Sequence, residues 1–132
     1  MASRKTLQGK IHLFGRALTR LEDVAALEST DVVRDALIQR FEFTFEAMWK
    51  ALQAALRYEG GACSSPRGCL QEALRFGLIE ADEDLLLRFL EYRNLTLHTY
   101  DEKLAEDVAR FVRTHLSTLR RIYQALITRY GI

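Results

Sequence analysis

The chain has little of what interrupts a helix. Its 132 residues include one proline and seven glycines, and the breakers cluster at Gly60-Gly61 and Ser64-Ser65-Pro66. Long irregular stretches are therefore excluded, and one clear loop is expected there. No apolar run approaches the length of a membrane span, so a membrane partner is not expected. Met1-Ala2-Ser3-Arg4-Lys5-Thr6 has no apolar block ending in a small-residue cleavage site. A secretory signal is not expected and the cytoplasm is the expected location. Only two cysteines occur, Cys63 and Cys69. Nothing supplies the remaining ligands of a zinc site, and in a reducing compartment two free thiols without a chemical role are expected. Acidic residues are missing from both ends. None precedes Glu22, whereas Arg4, Lys5, Lys10, Arg16 and Arg20 do; none follows Asp107, whereas Arg110, Arg113, Arg120, Arg121 and Arg129 do.

What is present is an ordinary globular balance, 48% apolar and 28% charged with a net charge of +1, enough for one domain over residues 1–132 with its own core. The apolar residues recur in steps of three and four. Leu7, Ile11, Phe14, Leu18, Leu21 and Ala25 predict a first helix over about residues 3–27. Val33, Leu37, Phe41, Phe45, Met48, Leu52 and Ala55 predict a second over about 32–58. Phe43 and Trp49 fall off that stripe, as they do in a helix that is central or lies in an oligomer interface. Ser65 and Pro66 read as N-cap and first residue of a short third helix that ends at Gly77. A fourth helix starts near Asp82. Thr99 and Glu102 read as a capping box, predicting a break near 98–100 and a last helix to about Arg129. The expected fold is all-α: an antiparallel, up-and-down bundle of four long helices plus one short one. If the two basic terminal helices pack side by side they form a basic surface suited to RNA or an acidic protein, or they are neutralised within the molecule.

One segment carries chemistry. Glu91-Tyr92-Arg93-Asn94-Leu95-Thr96-Leu97-His98-Thr99-Tyr100 gathers a guanidinium, an amide, an imidazole and a phenol in a helical context. Such a set can hold a phosphate and move a proton. The Arg-x4-His-x-Tyr pattern, the block from Ile38 to Lys50, and Ser65-Pro66-Arg67 followed by Phe76-Gly77-Leu78-Ile79 occur together and in order. On these residues the chain resembles HEPN-domain proteins, in particular the nucleotidyltransferase substrate-binding and HepT-like toxin branch. The resemblance runs over nearly the whole chain and implies the same bundle fold.

The resemblance implies a partner subunit of a minimal nucleotidyltransferase in a toxin–antitoxin pair, with metal-independent ribonuclease activity controlled by adenylylation. The alternative is a non-catalytic subunit that binds a nucleotide or other substrate for the transferase. Arg93 and His98 are the expected catalytic pair, Asn94 supports the imidazole one turn away, and Tyr100 is the expected modification site. Arg40, Glu42 and Glu46 are expected near the cleft. The carboxylates are expected in ion pairs with arginines, because nothing completes a metal set and no cofactor is called for. On a straight helix Arg93 and His98 diverge by about 140°, so a kink or a homodimer must bring them together. The competing readings are a polar network pinning two helices and a core tyrosine at position 100. His12 and His115 are read as incidental. A Gly-rich phosphate loop is missing, as is a Gly-Ser with paired acids, so the chain is not itself the transferase.

Overall fold

Side-chain caps set the starts of five helices in the computed structural model, which describes residues 3–98, except for the His98 side chain, and residues 101–132. Ser3 caps α1 (Arg4–Ala25) by accepting the Thr6 N–H, and Thr30 caps α2 (Asp31–Tyr58) by accepting the Val33 N–H. Ser65 and Pro66 open α3 (Pro66–Phe76), which closes on Gly77 at φ 81°, a left-handed conformation that glycine takes at no steric cost. Asp82 accepts the Asp84 and Leu85 N–H groups ahead of α4 (Glu83–His98). Asp101 caps α5 (Glu102–Tyr130) through the Lys103 and Leu104 N–H groups. This corrects the capping box expected from Thr99. Glu102 is the first helical residue, not the third, because the Asp101 carboxylate accepts the free N–H groups of Lys103 and Leu104 and so starts the helix there; Thr99 itself lies outside the described residues.

Cross-helix pairs give the directions. Between α1 and α5, Arg4 meets Tyr130, Glu22 meets Arg120 and Ala25 meets Arg113, so the two run antiparallel. Between α2 and α4, Glu42 meets Thr96 and Glu46 meets Arg93, again antiparallel. The short loops place α1 antiparallel along α2, and α3 bridges α2 and α4. The fold is the expected all-helical bundle. Its apolar stripes point inward: Leu7, Ile11, Phe14, Leu18 and Leu21 of α1 and Leu37, Phe41, Phe45, Met48 and Leu52 of α2 are fully buried. Phe41, Phe89, Phe111 and Tyr92 continue ring to ring under α4, with centroids 4.8–5.9 Å apart, and make a stiff floor beneath the signature.

Two details depart from the sequence reading, and one alternative it left open is decided. Cys63 and Cys69 form a disulfide rather than two free thiols, with Cα atoms 5.1 Å apart. Cys63 stands two residues before the Ser65 cap and Cys69 lies in the first turn after it, so capping α3 folds one back over the other. Gln53 of α2 pins the same loop by donating to the Cys63 carbonyl. Next, α5 is interrupted at His115, where φ −111° and ψ 17° leave the helical range. That imidazole packs on Phe111 and Phe89, a packing role rather than an incidental one. Finally, α1 and α5 do lie side by side, but Arg120 is paired to Glu22 and Arg113 donates to the Ala25 carbonyl and Ser29. The cations of α5 are thus largely used inside the molecule. Among the described residues no helix is long and apolar enough to cross a membrane.

Candidate functional site

The antiparallel packing of α2 on α4 sets two carboxylates opposite the signature. Glu42 and Glu46 are one turn apart on α2, and Arg93 and Thr96 are three residues apart on α4, so each pair shares a face. The Thr96 hydroxyl donates to Glu42 Oε2 at 2.8 Å. The Arg93 guanidinium donates to Glu46 Oε2 at 2.6 Å. Glu46 therefore forms the ion pair expected of it, whereas Glu42 forms a hydrogen bond to threonine instead.

Arg93 is held on three sides. Besides Glu46, its guanidinium lies 5.7 Å from the Phe45 ring centroid, and its NH1 donates to the Asn94 side-chain oxygen at 3.1 Å. Its side chain retains 18% exposure, so an anion can still reach it. Glu46 is itself fixed by the Trp49 indole N–H at 2.9 Å and by Lys50 at 3.2 Å. Burial pushes the Glu46 carboxyl up, but hydrogen bonds from Trp49 and Lys50 and the charges of Arg93 and Lys50 outweigh it and hold the group below its usual range. The guanidinium thus faces a carboxylate that stays ionised.

Two cavities flank this seam. One of about 570 Å³ lies between α2 and the start of α5, lined by Asp35, Ile38, Gln39, Glu42, Thr96, Asp101 and Leu104. The other lies across α4 and is lined by Arg67, Arg88, Glu91 and Asn94. Arg40 does not join the seam. Its guanidinium donates to the Arg20 carbonyl of α1 at 2.8 Å, because 40 and 42 point to different sides of α2. The roles of His98 and Tyr100 rest on a side chain and a residue outside the described set; α4 ends at His98 and α5 starts at Glu102. Thr96 and Phe45 are supports that spacing alone does not mark: Thr96 is an uncharged residue inside the signature, and Phe45 belongs to the buried apolar stripe of α2.

The chain is similar to known proteins in sequence and in fold. The family described as "Nucleotidyltransferase substrate binding protein like" matches residues 9–128. A probable ribonuclease HepT of Haemophilus influenzae is 37% identical over 84 residues, 56% of this chain and 56% of that protein, so the match spans little more than half of the curated relative. A solved structure from Thermus thermophilus is 41% identical with a TM-score of 0.75, covering 90% of this chain and 99% of the other. A tri-AMPylated HEPN toxin of Shewanella oneidensis, solved in complex with an MNT antitoxin, shares the fold at 22% identity and a TM-score of 0.76, covering 92% of this chain and 96% of that one. With nearly its whole length matched, the chain belongs to the nucleotidyltransferase substrate-binding-protein-like family, within the HEPN fold.

Proposed function

We propose that this protein is the HEPN toxin of a toxin–antitoxin pair and a metal-independent endoribonuclease, and that it acts as a homodimer in the cytoplasm beside a cognate minimal nucleotidyltransferase. The observation that carries this reading is Arg93, pre-oriented by Glu46, Phe45 and Asn94 yet open to an anion, on a helix that ends at His98. The relative named a probable ribonuclease and the toxin solved with its antitoxin support it. In the reaction His98 takes the proton of a ribose 2′-hydroxyl. The freed oxygen attacks phosphorus, the bond to the 5′-oxygen breaks, and that oxygen takes up a proton. The products are a 2′,3′-cyclic phosphate and a 5′-hydroxyl. Arg93 neutralises charge growing on the phosphoryl oxygens. Leu95 and Leu97 are exposed on α4 beside these residues, and a second copy packed there brings Arg93 of one chain toward His98 of the other.

Tyr100 is the proposed control point. Its phenol attacks the α-phosphorus of ATP on the transferase, pyrophosphate leaves, and the attached adenylate blocks the cleft. The protein is incubated with a mixed RNA substrate in EDTA. Cleavage to cyclic-phosphate ends is expected from wild type and is lost in Arg93→Ala and in His98→Ala, with melting temperatures nearly unchanged. RNA left intact by a folded wild-type dimer overturns the ribonuclease and favours the non-catalytic substrate-binding subunit. With the transferase, ATP and magnesium, the mass of the chain rises by one or more adenylates, and Tyr100→Phe is expected to show no gain.

A further inference from the structure

The α1–α2 face holds a groove that the signature does not use. We infer that it is a track for single-stranded RNA leading to Arg93, an inference that rests on the ribonuclease reading above. Its volume is about 600 Å³. Lys10, Arg16 and Arg20 line it from α1, and Arg40, Phe43 and Lys50 from α2. Both rows follow the helical repeat, so each wall presents cations with an apolar side chain between them. Phe43 is 61% exposed and Leu13 beside it 48%.

Charge decides the occupant. Glu46 is the one acid lining the groove against five cations, and its carboxylate is already shared between Lys50 and Arg93. Among the described residues Lys10, Arg16 and Arg20 have no carboxylate partner, in contrast to Arg120 of α5, which pairs with Glu22. A second copy would bring like charges face to face, which opposes pairing through this groove. A polyanion is attracted instead. An aromatic face standing between cations is the arrangement that binds a single strand: phosphates meet the cations while a base stacks on the ring. From Lys10 to Arg20 the wall is about 15 Å long at 1.5 Å per residue, room for about four stacked nucleotides. Because Glu46 touches both Lys50 and Arg93, the groove opens one side chain away from the proposed catalytic arginine.

The test is fluorescence anisotropy with a labelled 2′-O-methyl oligoribonucleotide, which binds without being cleaved. Arg16→Glu/Arg20→Glu is expected to weaken binding at least tenfold, and Phe43→Ala about fivefold or more. Arg16→Ala/Arg20→Ala is expected to lower the slope of log affinity against log salt by about 1.4, at about 0.7 per phosphate contact. Arg110→Glu/Arg121→Glu, the same charge change on α5, is the control and stays near wild type; circular dichroism confirms that each variant is folded. Groove variants that bind like wild type, or a control that weakens equally, overturn the track. Tighter binding of poly-glutamate than of RNA overturns it in favour of an acidic protein. If wild type cleaves RNA and the groove variants keep its KM, the track falls and the ribonuclease stands. If wild type neither binds nor cleaves RNA, both fall.

Discussion

Arg93 is positioned more than it is stabilised. Its ion pair with Glu46 is partly exposed, with 36% of the glutamate side chain accessible, and such pairs are worth about 1 kcal/mol or less. What the carboxylate, the Phe45 ring and Asn94 achieve together is one orientation for a long side chain that otherwise has many. The pH dependence of stability follows. Because the fold lowers the Glu46 pKa, its contribution is fully present above the ordinary carboxyl value of 4.5 and is lost as pH falls through the lowered one. At neutral pH Glu46→Gln should melt slightly below wild type, and the two melting curves should converge in acid; a gap that persists there would remove the pair as its cause. Much of this seam was legible in the sequence. The spacing of Glu42 and Glu46, and the mismatch of Trp49 with the apolar stripe, marked a second face of α2. That Thr96, not an arginine, answers Glu42 was not legible, because it depends on the register between helices far apart in the chain.

Among the elements, α1 and α5 meet at Gly15 through the Tyr123 side chain. A Cβ built there would lie 2.5 Å from the Tyr123 hydroxyl oxygen and 2.6 Å from the adjacent ring carbon, and that ring packs edge-on against Phe14 at 5.6 Å. Two effects compete in Gly15→Ala. Alanine favours the helix by roughly 0.5–1 kcal/mol, whereas displacing the ring costs about 1–3 kcal/mol in overpacking and lost aromatic contact. The cost should win, leaving the variant about 1 kcal/mol less stable in urea unfolding. In a Tyr123→Ala background the same change should become stabilising, and failure of the sign to reverse would show that the ring is not the obstacle. Helix existence and the inward faces were readable because apolar spacing alone decides them. The disulfide was not, because it depends on the Ser65 cap folding the loop back on itself, which neither compartment nor metal-ligand spacing reports. Nor was the irregularity at His115, which arises where that ring meets Phe89 and Phe111 from another helix.

For the whole molecule, the five-residue step between Arg93 and His98 gives the proposed homodimer, and the composite site proposed for it, a direct test. Arg93→Ala and His98→Ala proteins, each inactive, are mixed and allowed to exchange subunits. Half the dimers are then mixed, and each has one intact pair if the two residues come from different chains. Recovery to about a quarter of wild-type cleavage is expected, and none if each chain carries its own site. The bundle and its helix order were legible from periodicity, but the proposed pairing of two copies is not written in any periodicity. One contact has a bearing on how such a molecule can be handled. The Arg4 guanidinium donates to the Tyr130 carbonyl, so the start of α1 and the end of α5 share one pole, while the signature sits beside the other end of the 29-residue α5, about 40 Å away at 1.5 Å per residue. An affinity handle, a fluorophore or a surface tether attached at either of these points stands clear of the cleft, and a pair of dyes placed on both would report on that pole alone.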